Sequence, residues 1–401
     1  MAPGPSAGTR TTTLTGPGAI LDLIRHGQAQ TRADLVRQTG LARSTVAQRV
    51  DALLAGGLVH EVAVAASTGG RPPTVLALNR NAGVVLAADL GATHSRLAVS
   101  DLSGEPLAEL AADMDIADGP ERVLGWVDDS FRTLLTKSKR KRGDVRGIGI
   151  GLPGPVSFST GQAVNPPIMP GWDGFSVPLW FGARLDVPVL VDNDVNIMAL
   201  GEHRVHFRET ENLLFVKVGT GIGCGIVAGY EIHRGAQGAA GDIGHIRVDG
   251  HDDTVCRCGN TGCLEAMAGG RALARRLTEA GAPAEGTRDV VELVRAGDTR
   301  AVRMVREAGR YLGEVLAACV NFFNPAVIVI GGDLGDVHDQ LLAGIREVTF
   351  QRSLPLATQH LRTVPARLGD RAGITGAAIM AIEHVLAPDA IDRELQAGLA
   401  A

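Results

Sequence analysis

The sequence of 401 residues predicts an α/β protein: a small winged helix-turn-helix head followed by two α/β lobes with a cleft between them. Three observations predict it. Within the first 80 residues, three short stretches of helical apolar spacing precede two stretches of strand character. Beyond residue 83, apolar strands alternate with longer helical segments. Two strand–glycine turn–strand openings recur, one near residue 90 and one near residue 219.

Composition agrees. Apolar residues make up 45% and aromatics only 3%, while glycine numbers 52, so packing rests on aliphatic side chains and tight turns. No apolar run reaches the roughly 20 residues of a membrane span. The first 17 residues carry no apolar core of a secretory signal. A cytoplasmic location with reduced cysteines is the expectation, and no membrane partner. The net charge of −5 is uneven. Through residue 80 eight arginines face Asp22, Asp34, Asp51 and Glu61, a net +4 that leaves −9 for the remainder. A basic head on an acidic body suits a head that meets phosphate backbone.

Residues 1–16 are small and polar and read as a disordered tail. Ile20, Leu21, Leu23 and Ile24 mark a first helix over 19–26. Thr31 is an N-cap for a second, 32–38, closed by Gly40. A third runs from Ser44 to about Leu54 and stops at Gly56-Gly57. Strands at 62–64 and 74–78 form the wing, joined through Gly70-Arg71-Pro72. In such heads the third helix enters the major groove. Arg43, Ser44, Thr45, Gln48 and Arg49 present side chains suited to bases and phosphates, with Val46, Val50 and Leu53 turned inward. Arg71 at the wing tip can reach a minor groove.

The lobes follow. Strands are expected at 84–89, 95–100, 106–111, 145–151 and 188–191, with a helix over 122–136. The basic run 137–142 reads as a solvated helix end. A second unit starts with a strand at 213–218, a glycine turn over 219–225 and a strand at 226–228. A long helix over 301–323, a buried strand at 326–330 and a last helix over 373–386 complete it. The expected domains are 17–80 for the head, 83–195 plus 373–386 for the first lobe, and 196–372 for the second.

Four groups carry chemistry. Cys256, Cys258 and Cys263 fall within eight residues, with His245 eleven positions before Cys256. Three thiols and an imidazole complete a tetrahedral shell for structural Zn²⁺, and a closed shell shapes a loop rather than activating water. The turn 89–93 (Asp89-Leu90-Gly91-Ala92-Thr93) exposes amides that can hold a phosphate, beside a carboxylate that can hold Mg²⁺. The turn 219–223 has the same logic. At the end of the strand 188–191 stands Asp192-Asn193-Asp194, where a carboxylate emerging into a cleft can act as general base.

In this order, with Gly149-Ile150-Gly151-Leu152-Pro153-Gly154-Pro155, these motifs resemble the ROK family (repressors, open reading frames, kinases) over residues 84 to about 386. The head is similar to that of its repressor branch, such as the xylose, N-acetylglucosamine and Mlc-type repressors. The resemblance implies a two-lobed actin-like ATPase fold of the sugar kinase and ribonuclease H-like type. It implies Asp194 as the base that activates a sugar hydroxyl in kinase members. Asn193, His245 and Glu265 match sugar contacts, and His245, Cys256, Cys258 and Cys263 match zinc ligands. Asp89, Gly91 and Thr93 match the first phosphate loop, Gly219, Thr220 and Gly221 the second, and Gly331 and Gly332 a turn near the nucleotide. The sequence departs from the kinase pattern in three places. Asp242 stands where kinases have glutamate in Glu-x-Gly-His, which retracts a sugar contact. Ala92 and His94 replace glycine and lysine of the phosphate loop. Pro167-Ile168-Met169 replaces Pro-Asn-hydrophobic. These changes bear on ATP use more than on sugar binding.

The expectation is a sugar-responsive transcriptional regulator of carbohydrate metabolism, a repressor on an inverted-repeat operator, controlled by a sugar or sugar phosphate held near Asn193, Asp194, Asp242, His245 and Glu265. A homodimer or dimer of dimers is implied. The alternative is an ATP-dependent hexose kinase with an added head, needing ATP and Mg²⁺ and using Asp194 as base.

Overall fold

A computed structural model describes residues 16–62, 74–251 and 253–400. The head holds α1 (Pro17–Arg25), α2 (Arg32–Thr39) and α3 (Arg43–Ala55), then β1 (Val59–Val62) and β2 (Val75–Leu78) as an antiparallel pair. Thr31 and Asp34 form a capping box at the start of α2, and Gly40 ends it with φ of 69°, a left-handed cap that suits glycine. The first wing strand begins earlier than expected, at Val59 rather than Val62, and positions 63–64 of the expected strand lie outside the described residues. Leu58, Val59 and Leu76 are buried under α3, and pairing Val59 with Leu78 keeps them there. The tail 1–15, the wing residues 63–73 and Arg71 among them lie outside the described residues.

The first lobe contains β3 (Val84–Leu90), β4 (His94–Asp101), β5 (Pro106–Asp113), α4 (Pro120–Lys137), β6 (Val145–Leu152), a small hairpin of β7 (Val156–Ser157) and β8 (Gln162–Ala163), α5 (Val177–Gly182) and β9 (Val189–Asn193). Its sheet runs β5-β4-β3-β6-β9, antiparallel from β5 to β3 and parallel from β3 to β9. One face packs under α4 and α5 through Phe131, Trp172 and Phe181. After α6 (Asp194–His206) the second lobe repeats the plan with β10 (Leu213–Val218), β11 (Ile222–Ala228) and β12 (Glu231–Ile232). Then come α7 (Leu264–Ala268), α8 (Gly270–Glu279), α9 (Thr287–Arg295) and α10 (Thr299–Phe323). Next stand β13 (Val327–Gly331), α11 (His338–Arg352), α12 (Pro355–Thr358) and β14 (Arg362–Pro365). Its sheet order is β12-β11-β10-β13-β14.

The glycine run of the second lobe is mostly strand. We expected a turn over 219–225, but β11 begins at Ile222, and Gly223 and Gly225 pair with Lys217 and Phe215. The reason is close packing against α6. A methyl on Gly225 would stand 2.5 Å from the Ala199 Cβ, and one on Gly223 2.8 Å from a Val195 methyl.

Helices α6 and α13 (Ala372–Val385) lie crossed between the two sheets. Ile197, Leu200 and Ala377 face the first sheet, while Val195, Met198 and Ala199 face the second. Small residues let the crossing close: a methyl on Gly201 would lie 2.5 Å from the Ala372 carbonyl, and one on Gly376 would overlap that of Ile197. A further helix that sequence periodicity did not reveal, α14 (Pro388–Ala400), turns back over α13 onto α1. Its Ile391 is fully buried, and Asp392 accepts the Gly18 amide at 2.7 Å. The head is therefore held by two connections, the chain after β2 and the α1–α14 seam. Ile20, Leu21, Leu35 and Leu53 of the head share one core with Val85 and Ala98 of the first sheet and Met380 and Val385 of α13.

Candidate ligand cleft and metal centre

The sheets' strand ends and α6 frame a cleft of about 1330 Å³. Into it come Asp89, Gly91 and Thr93 from the turn between β3 and β4, and Asn193 and Asp194 from the junction of β9 and α6. Facing them are Thr220 and Gly221, then Asp242, His245 and Glu265, and Gly332 with Asp333 after β13. Gly219 and Gly331 stand just behind this surface. Asp89, Asn193, Thr220 and Gly332, spread over more than 200 positions, thus converge because each lies at or just past the same end of its strand, where parallel sheets open.

The two glycine turns are partly closed by their own bonds. The Gly91 amide donates to the His94 carbonyl at 2.8 Å, and the Gly219 amide to the Gly221 carbonyl at 3.0 Å. Glu265 accepts the Ile222 amide at 3.1 Å and packs on Gly221, so it braces the second turn while bordering the cleft. Asn193 caps α6, accepting the Val195 amide at 2.9 Å, and its own amide donates to the Gly154 carbonyl at 2.9 Å. Asp192 beside it is buried and holds Asn196 at 2.9 Å and Arg234 at 2.8 Å.

Asp194 is nearly buried, and its carboxylate accepts the Lys217 ammonium at 2.5 Å. Sequence reasoning missed Lys217. The available signal was a lone charge in the apolar strand Leu213-Leu214-Phe215-Val216-Lys217-Val218, next to a glycine turn. Burial alone would lower the Lys217 pKa, but Asp194 and Asp89 more than offset that and hold it above its ordinary value. Asp89 is half-buried at the cleft end of β3. Burial pushes its carboxyl up to about 7, Lys217 pulls it down and Asp194 pushes it further up.

Beside the cleft, the short turn Ile243–His245 brings His245 onto the loop 256–263. Gly259 and Gly262 both take positive φ, 90° and 70°, which lets the chain reverse twice and turn its three thiols to one point. The candidate ligand atoms of His245, Cys256, Cys258 and Cys263 all lie within 4.8 Å of one another. Cys256 Sγ stands 3.7 Å from His245 Nδ1, and Cys258 Sγ 3.7 Å from Cys263 Sγ. With metal–sulfur bonds near 2.3 Å, a tetrahedron has edges of about 3.6–3.8 Å. The donor set thus fits a tetrahedral metal ion. Nδ1 faces the thiols, and Nε2 lies 3.9 Å from Asp242 on the cleft side. A metal on Nδ1 would leave the proton on Nε2, a donor aimed at the cleft. Cys224 is a buried core thiol and Cys319 a partly buried one.

On the head, Arg43, Ser44 and Gln48 are exposed along α3, Thr45 and Arg49 are half-buried, and Val46, Val50 and Leu53 are enclosed.

Fold and site define a two-lobed actin-like ATPase fold carrying a helix-turn-helix head. The chain belongs to the ROK family, whose model matches residues 85–384. The xylose repressor of Caldicellulosiruptor bescii is 30% identical, over 92% of this chain and 95% of its own length. The glucokinase of Halalkalibacterium halodurans is 33% identical, over 72% of this chain and 92% of its own. Among solved structures, a ROK family transcriptional regulator, homolog of the E. coli Mlc protein, superposes with a TM-score of 0.79 at 28% identity. It covers 96% of this chain and 98% of its own.

Proposed function

We propose that this protein is a sugar-responsive transcriptional repressor. The head, 17–80, reads a DNA operator through Arg43, Ser44, Thr45, Gln48, Arg49 and Arg71. A sugar or sugar phosphate sits between the lobes 83–195 (with 373–386) and 196–372, contacted by Asn193, Asp194, Asp242, His245 and Glu265. Structural Zn²⁺ on His245, Cys256, Cys258 and Cys263 sets the angle of His245. One observation carries the reading: a single hydrophobic core runs from α1–α3 into the sheet and helix that border the cleft. A ligand that favours one lobe arrangement changes the head's setting through that core, in proportion to its affinity difference between the two arrangements. The full-length similarity to the repressors supports it, because it includes the head.

An inverted-repeat operator needs two heads. Phe322 at 94% exposed, Leu354 at 70% and Leu356 at 80% form an apolar surface where α10 and α11 end and α12 begins, and it supports self-association into a dimer. Operator binding implies the cytoplasm. Among the described residues no single helix is long and apolar enough to cross a membrane.

The test is fluorescence-anisotropy titration of the full chain on its own upstream DNA, alone and with a panel of pentoses, hexoses and their phosphates. At least one ligand is expected to shift operator affinity tenfold or more. Operator affinity that no member of the panel changes would overturn the reading. Turnover of ATP with a hexose, abolished in Asp194→Ala, would favour the kinase reading instead.

A further inference from the structure

Three carboxylates border the cleft. Asp89 arrives at the end of β3, Asp194 at the start of α6 and Asp333 just after β13, all on the cleft surface. In nucleotide-dependent phosphoryl transfer, acids in such positions hold a divalent cation. Here a lysine stands with them, its charge acting on all three. Lys217 leaves β10 with its ammonium 2.5 Å from Asp194. It also flanks Gly219 together with Asp333: a methyl built there would stand 3.5 Å from the Asp333 carboxylate and 3.7 Å from Lys217 Cε.

We propose that Lys217 is the resident cation of this cleft, its ammonium taking the place among Asp89, Asp194 and Asp333 that a divalent metal ion would need. Two consequences follow. The cleft binds its ligand without Mg²⁺ or nucleotide. Asp194, already ion-paired, is a fixed hydrogen-bond acceptor for a ligand hydroxyl rather than a base that takes its proton. Neighbouring acids keep Lys217 charged across the range in which proteins fold, so this cation does not leave as pH rises through neutrality. An ammonium differs from Mg²⁺ in charge and geometry: it supplies one positive charge and cannot bridge two phosphate oxygens in octahedral coordination. The inference rests on the proposed function only for the ligand's being a carbohydrate. The cation argument stands on the four side chains.

The probe is Mn²⁺, alone and with ATP, followed by electron paramagnetic resonance on the full-length, zinc-loaded chain. The parent is expected to bind no Mn²⁺ at the cleft below millimolar concentration. Lys217→Met, which keeps the stem and removes the charge, is expected to acquire one site at least tenfold tighter. Lys217→Met combined with Asp194→Asn should lose that site again. Lys217→Arg, which keeps the charge, should behave as the parent and shows that position 217 tolerates change. Parent binding as tight as that of Lys217→Met, or no gain in a folded Lys217→Met, overturns the proposal. A sugar panel with no effect on operator affinity would defeat the functional reading and leave the Mn²⁺ result standing.

Discussion

Replacing Ile391 with alanine tests whether α14 fastens the head to the body. The Ile391 side chain is fully buried in the core that joins α1–α3 to α13. Its removal forfeits the transfer free energy of three carbons and leaves a cavity, about 2–4 kcal/mol together. Neighbouring contacts of α14 remain: Asp392 on the Gly18 amide and Leu395 against Gly56 at the end of α3. The seam is therefore weakened rather than abolished. If it governs head docking, amides of α1–α3 open with less free energy while α10 and β13, enclosed in the second lobe, do not change. At tenfold per 1.4 kcal/mol, a loss of about 3 kcal/mol accelerates exchange in the head by roughly 100-fold. Hydrogen exchange read by mass spectrometry, peptide by peptide, is the assay. Equal acceleration in head and both lobes, or none in the head, would refute the idea of a docking seam. Ligand control of operator affinity should fall in the same variant, since the head then follows the lobes less closely.

Three further outcomes follow from the packing and the site. Gly376→Ala puts a methyl into the Ile197 carbonyl, so α6 and α13 must separate. The expected loss is about 1–3 kcal/mol or more, and an unchanged urea midpoint would contradict it. Cys258→Ser removes one of four donors; elemental analysis should find one zinc per parent chain and little in the variant, with the loop 245–263 becoming protease-sensitive. Asp89→Asn concerns pH. The half-buried carboxyl is raised to about 7 from 3.8, so its contribution is full below pH 3.8 and is lost as pH rises through 7. The asparagine variant does not titrate, so relative to the parent it should gain stability steadily between pH 4 and pH 8, on the order of a few kcal/mol. Parallel stability curves over that range would exclude an Asp89 that titrates near neutrality.

Much of the head and the metal loop could be read from local spacing. Thr31 with Asp34, Gly40, and the period of Val46, Val50 and Leu53 each act within a few residues, so their signals survive in one dimension. Cys256, Cys258 and Cys263 with two turn glycines work the same way. The start of the first wing strand was placed three residues late because its register depends on Leu58 and Val59 packing under α3. The start of β11 was misplaced because glycine signals a turn locally, yet here it signals a helix pressed onto a strand. Most of the cleft residues could be named because turn motifs mark strand ends, but their own hydrogen bonds could not.

By itself, then, the sequence determined the head's helices, the tetrahedral donor set, the two glycine turns and the family. Tertiary structure alone decided that α14 returns to α1, that Lys217 faces Asp194 across 23 positions, and that one core links head to cleft. The physical reason is range. Caps, turns and metal loops are stabilised by neighbours along the chain, whereas an ion pair or a shared core depends on which distant surfaces burial brings together.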